Sequence, residues 1–130
     1  MNGTVLIIDE DVNAQIIAGT LLRLRGLDVH IATDPAEAGD IFAHEEVGVV
    51  VMDINGAGVN GFEVLHQLRV AAQALPIPPR VVVVTDRREP ELERFARRLG
   101  VDAVLRKPMN HRQFIATVEE LVDSAAPQAA

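Results

Sequence analysis

The chain has 130 residues, 48% of them apolar, which is long enough for one domain with a proper core. It has no cysteine, which excludes a disulfide framework, a thiolate metal site and a cysteine nucleophile. Its net charge of −7 argues against a broad surface for the phosphate backbone of nucleic acid.

The amino terminus, Met1-Asn2-Gly3-Thr4, has no basic region, and no apolar stretch approaches the roughly 18 residues of a spanning helix. A soluble cytoplasmic protein without a signal peptide or membrane span is therefore expected. Thr4–Ile8 is an apolar, β-branched run of the kind found in buried parallel strands. It stops at Asp9-Glu10-Asp11. Ile16, Ile17, Leu21, Leu22 and Leu24 then read as the apolar face of a helix that closes near Gly26. Leu27–Ala32 is a second strand, and Asp34-Pro35 opens a helix that runs to about His44. Val47–Met52 is a third strand, ending at Asp53. After the glycine-rich 55–61 loop, a helix is expected from Phe62 to about Ala74. Pro76, Pro78 and Pro79 break the chain before a fourth strand, Arg80–Thr85. Leu92, Phe95, Ala96 and Leu99 have helical spacing, closed by Gly100. Ala103–Leu105 is a short fifth strand, followed by Lys107-Pro108. The last helix uses Phe114, Ile115, Val118, Leu121 and Val122. One domain over residues 1–123 is expected, with residues 124–130 as a flexible tail.

Five strands alternating with five helices give an open α/β sheet, parallel throughout. Ligands of such sheets bind beyond the carboxyl ends of the strands, where strand order reverses. In the flavodoxin-like order 2-1-3-4-5 the reversal lies between strands one and three. Asp9 and Glu10, Asp53, Thr85 and Lys107 then stand at four strand ends on one edge. Three carboxylates together resist ionising unless a cation is present. Oxygen donors without His or Cys suit a hard ion, magnesium above all, with manganese a second choice. Lys107 is the chain's one lysine among eleven arginines, which suggests a site that needs a compact point charge. A carboxylate beside a metal, with an ammonium and a hydroxyl opposite, is the equipment for phosphoryl transfer.

Four segments carry a family resemblance: VLIIDED, VVVMDINGAGVNGFEVL, VVVVTD and LRKP. Together, in this order and each on its own strand end, they resemble the receiver domain of bacterial response regulators from about Val5 to Val122. The resemblance implies that Asp53 is the phosphoryl acceptor and that Glu10, Asp53 and the Asn55 backbone carbonyl bind magnesium. Asp9 would act mainly through a bound water. It further implies that Lys107 pairs with Asp53 and then with the phosphoryl group, across a cis Lys107-Pro108 bond. Thr85 would donate to a phosphoryl oxygen and couple occupancy to the helix four, strand five and helix five face. The expected function is that of a single-domain regulator. It takes phosphate from a sensor histidine kinase or a histidine phosphotransfer protein, hydrolyses it slowly, and is not a turnover enzyme. It would pass its signal to an effector protein as a monomer or weak dimer.

Four positions depart from the family pattern. Glu10 stands where aspartate is commoner, and Ala57 replaces a proline. Asp86 follows Thr85 where a small residue is usual, and Val104 fills an often aromatic strand-five position. Two rival readings follow. Asp86 and Val104 favour an interaction module that keeps the fold without phosphorylation. Asp9-Glu10-Asp11 has the D-x-D spacing of haloacid-dehalogenase-like phosphatases, although that reading leaves Asp53 unexplained. Asp11 reads as a helix cap rather than a metal ligand. His30, His44, His66 and His111 lack ligand spacing and read as surface groups. The basic stretch of Arg87, Arg88, Arg94, Arg97 and Arg98 reads as a solvated helix face, with an anion or acidic-partner patch as the sharper alternative.

Overall fold

The computed structural model describes residues 3–54 and 61–125. Its elements alternate strictly: β1 (Thr4–Ile8), α1 (Val12–Arg23), β2 (Asp28–Ala32), α2 (Pro35–His44), β3 (Val49–Asp53), α3 (Gly61–Ala72), β4 (Arg80–Thr85), α4 (Pro90–Arg98), β5 (Ala103–Arg106) and α5 (His111–Ala125). The strands form one parallel sheet in the order β2-β1-β3-β4-β5, the expected flavodoxin-like arrangement. The register aligns the strand ends. Ile8 lies beside Met52, Asp53 beside Val84, and Thr85 beside Arg106.

Both faces of the sheet are covered, so its central strands are apolar throughout rather than alternating with polar residues. Successive side chains of a strand point to opposite faces. Val50 and Met52 of β3, with Val81 and Val83 of β4, pack with residues of α2, α3 and α4. Val49, Val51, Val82 and Val84 pack on the other side with Ala18 and Leu22 of α1 and with Phe114, Val118 and Val122 of α5. Among the described residues, Phe114 is the largest fully buried side chain, and it fills the space beneath β3 and β4.

Helix α1 corrects one expectation. Its buried residues are Gln15, Ala18, Gly19 and Leu22, whereas Ile16, Ile17 and Leu24 are exposed and Leu21 is only partly covered. The cap fixes this phase: Asp11 accepts from the Asn13 and Ala14 amides and starts the helix at Val12. Small residues then face the sheet. A side chain at Gly19 would meet Ile31 at 3.6 Å and Val29 at 3.8 Å, so α1 lies close on β2. Helix α2 starts as expected, with Asp34 accepting from the Glu37 amide at 2.8 Å and Pro35 in the first turn.

Helix α4 is unevenly anchored. Its first turn has no side-chain cap from Glu89. Its last turn closes on Gly100 in the left-handed region (φ 86°), and the Val101 amide returns to the Ala96 carbonyl at 3.2 Å. The guanidinium of Arg69 in α3 lies over Gly100 and donates to its carbonyl. Leu92 and Ala96 are buried beneath α4, while Phe95, expected with them, is about half exposed. Helix α5 continues to Ala125, past the expected boundary at 123. Among the described residues, no helix is long and apolar enough to cross a membrane.

Candidate functional site

The carboxyl edge of the sheet gathers the expected groups. Apolar residues of β1 carry the chain to Asp9, whose amide donates to the Ala32 carbonyl and whose carboxylate accepts from the Asp11 amide at 2.8 Å. Gln15, buried on α1, donates to the Asp9 carbonyl. Asp9 is thus fixed from three sides. Glu10 beside it is exposed. One pocket is lined by Asp9, Glu10 and Asp53 together with Asp34, Met52 and Val64.

Asp53 closes β3 with its carboxylate only 10% exposed. Lys107 reaches it from the turn after β5, with Nζ at 2.5 Å from Oδ2. That turn is pinned by the Lys107 amide, which donates to the Thr85 carbonyl at 2.8 Å, and the Lys107-Pro108 bond is cis. Thr85 is fully buried, and its Oγ1 accepts from the Arg87 amide at 3.0 Å. Asp86 is exposed, yet its charge reaches Lys107. Asn55 and Ala57 lie outside the described residues.

The electrostatics follow from this crowding. Burial pushes the Asp9 carboxyl above the ordinary aspartate value of 3.8. The Asp11 amide opposes the rise, and the negative charge of Asp53 adds to it. Burial alone would lower the pKa of Lys107, but its hydrogen bond to Asp53 and the charges of Asp53, Asp9 and Asp86 outweigh that. The ammonium is held above its usual 10.5. A crowded, oxygen-only set with one carboxylate already pushed toward its neutral form fits a hard divalent cation, which would relieve that repulsion.

Asp11 behaves as the expected cap, its side chain engaged with the Asn13 and Ala14 amides. Of the four histidines, His44, His66 and His111 are exposed as expected. His30 is not a lone surface group. It sits between Asp28 (3.1 Å) and Glu45 (4.0 Å) at the amino end of β2, away from the pocket. Sequence spacing missed this group because Glu45 arrives from the end of α2, fifteen positions beyond His30. The two carboxylates are exposed, and the His30–Asp28 contact is accounted for as a hydrogen bond. A further feature outside the sequence reading is the exposed apolar row of Val12, Ile16 and Ile17 on α1, which leads away from the acid pair.

Comparison with known proteins agrees with this fold. Residues 5–119 match the family described as the response regulator receiver domain. The chain is 30% identical to a transcriptional regulatory protein CpxR homolog of Haemophilus influenzae, over 94% of this chain and 51% of that protein. It is likewise 30% identical to the response regulator MprA of a Mycobacterium species, over 95% of this chain and 52% of that one. The chain thus spans about half the length of the curated relatives it matches. Among solved structures it is similar to a CheY-like receiver domain protein from Methanospirillum hungatei JF-1, with 25% identity, a TM-score of 0.80 and 94% of each chain covered. It also shares its fold with the receiver domain of Ssk1 from Saccharomyces cerevisiae, crystallised with the histidine phosphotransfer protein Ypd1. That match has 24% identity and a TM-score of 0.83, and covers 95% of this chain and 91% of that one. The chain belongs to the receiver-domain family of two-component response regulators.

Proposed function

We propose that this chain works as a phosphoryl-accepting switch with Asp53 as the acceptor. The observation that carries the reading is the Asp53–Lys107 contact at 2.5 Å beside Asp9 and Glu10 in one pocket. An oxygen of Asp53 bonds to phosphorus as the phosphorus–nitrogen bond of a donor phosphohistidine breaks, and the departing imidazole takes up a proton. Lys107, already at the carboxylate, passes to a phosphoryl oxygen, and the Thr85 hydroxyl turns from accepting the Arg87 amide to donating to another. Water attack on the acyl phosphate then returns Asp53 and inorganic phosphate slowly, which is self-reversal rather than turnover. Asp9, Glu10 and Asp53, with the Asn55 carbonyl, hold magnesium or manganese, which supplies positive charge against the phosphoryl oxygens when bound.

The donor is a histidine kinase or a histidine phosphotransfer protein. Val12, Ile16 and Ile17 support this, because they offer a helical donor an apolar footing next to the pocket. The receiving effector protein docks on the face made by α4, β5 and α5. We take the chain to act as a single-domain regulator in the cytoplasm, a monomer or weak dimer that engages neither nucleic acid nor membrane. The phosphatase reading loses ground because Asp11, the second acid of its D-x-D pair, is engaged in capping α1. The phosphorylation-independent reading has one observation in its favour, the Asp86 charge felt at Lys107.

Intact mass after incubation with acetyl phosphate tests the proposal. A phosphate adduct that requires magnesium and vanishes in Asp53→Ala is expected. A folded protein that stays unmodified at every donor concentration overturns it in favour of the phosphorylation-independent module.

A further inference from the structure

The family pattern places an aromatic side chain where this chain has Val104, and Val104 cannot swing. It packs against the cluster that holds Leu92 and Ala96 of α4. Strand side chains repeat their face every second residue, so Arg106 lies on the same face of β5 as Val104. Arg106 is long enough to reach what valine cannot. Its Nη1 donates to the Arg87 carbonyl at 2.5 Å, and its Nη2 lies 3.5 Å from Oε2 of Glu93 in α4.

These contacts continue in both directions. The Arg87 amide donates to Oγ1 of Thr85 at 3.0 Å, so the two polar backbone groups of Arg87 are gripped from opposite sides, by a buried hydroxyl and by a guanidinium. The other oxygen of Glu93 faces Arg97 at 3.4 Å, one turn further along α4. An unbroken series of hydrogen bonds and ion pairs thus joins Thr85, Arg87, Arg106, Glu93 and Arg97. It begins at a buried group and ends on a side chain about half exposed.

We propose that Arg106 couples Thr85 to helix α4, acting as a positioning residue in the place of the missing aromatic switch. The proposal rests on the reading of Thr85 as the hydroxyl that turns to the phosphoryl group. Once that hydroxyl turns away, the Arg87 amide loses its acceptor and the 86–89 segment is free to shift. Arg106 is bonded to the Arg87 carbonyl and carries the shift to Glu93 and Arg97. A planar fork holds a carbonyl and a carboxylate on two separate arms in a fixed geometry, which a valine cannot do and an ammonium can do only from a single freely rotating nitrogen.

Backbone amide shifts of the full chain test the coupling without any phosphoryl group. Thr85→Val removes the acceptor for the Arg87 amide while keeping the side-chain volume. It is expected to move the Glu93 and Arg97 signals in the parent, and to move them at least about threefold less in an Arg106→Met background, as a coupled pair requires. Glu93→Gln breaks the same series from its other end and is expected to mute Arg97 alike, which guards against a folding defect peculiar to Arg106→Met. Equal displacements of Arg97 with and without Arg106 overturn the proposal. A second arm adds magnesium and beryllofluoride as a phosphoryl mimic. Arg106-dependent displacements in both arms support coupling and acceptor together. An Arg106-dependent response to Thr85→Val, with none to the mimic, supports the coupling and overturns the acceptor reading instead.

Discussion

The ammonium of Lys107 stands 2.5 Å from the Asp53 carboxylate, although the two residues lie 54 positions apart and Asp53 ends β3 while Lys107 follows β5, two strands that do not touch. The contact depends on β4 between them, whose Thr85 carbonyl holds the Lys107 amide. Lys107→Met removes the cation proposed to meet a phosphoryl oxygen, and phosphorylation by acetyl phosphate is expected to slow about 10²-fold or more. The same contact raises the lysine pKa, so its stabilisation is complete below the ordinary value of 10.5 and is lost as pH climbs through the higher folded value. The thermal midpoint of the parent should therefore fall more steeply above pH 10.5 than that of Lys107→Met.

Asp9 titrates in the opposite sense. Its folded pKa lies above 3.8, chiefly from burial, so its ionised form costs stability at neutral pH and protonation relieves that cost as pH falls. On the proposed metal site, protons are expected to compete with magnesium at Asp9 from a higher pH than at an ordinary aspartate. Titration calorimetry should find magnesium affinity declining on acidification, with a shallower decline in Asp9→Asn. Calorimetry suits this chain, which has neither Trp nor Tyr to report binding by fluorescence. Metal-free Asp9→Asn should be more stable than the parent at pH 7 by about 0.5 kcal/mol, a small figure because the site is partly solvated.

Ile16 offers a test that separates donor recognition from chemistry. It is 57% exposed on α1, so Ile16→Ser should change the thermal midpoint little. Phosphotransfer from a phosphorylated kinase or phosphotransfer protein is expected to slow by about tenfold, equivalent to about 1.4 kcal/mol of lost apolar contact, while acetyl phosphate works as before. Equal loss with both donors would place Ile16 outside donor docking.

Asp86 is expected to act as a modest brake on phosphorylation. Its exposed carboxylate is felt at Lys107, and an incoming phosphoryl group carries the same sign of charge. Asp86→Ala is expected to speed phosphorylation about two- to threefold at low salt, with the gain shrinking as salt is raised. A rate independent of Asp86 at every ionic strength would leave it a solvent-facing residue.

The strand order, the four helical crossovers and the gathering of Asp9, Glu10, Asp53, Thr85 and Lys107 were legible because four of the five strands are short apolar runs that stop at or just before one of these residues. The apolar face of α1 was not. Ile16, Ile17 and Leu24 look like core by composition, but the Asp11 cap and the close approach at Gly19 turn Ala18 and Gly19 inward instead. Period and hydropathy cannot separate a face buried in the fold from one kept for a partner. The Arg106 contacts escaped for a different reason. They join a loop, a strand and a helix through backbone carbonyls and long side chains, and no local spacing encodes that. The Asp28, His30 and Glu45 group escaped likewise.

Helix α4 behaves mechanically as a lever with its fulcrum at one end. Arg69 grips the Gly100 carbonyl, and the left-handed turn closes the last carbonyls of the helix, so that end belongs to the rigid body of α3 and the sheet. The other end starts at Glu89 without a side-chain cap, two residues after Arg87. A displacement entering beside Thr85 therefore acts on the long arm. On the proposed coupling it would tilt α4 about Gly100 rather than slide it, with the largest excursion at Pro90–Leu92.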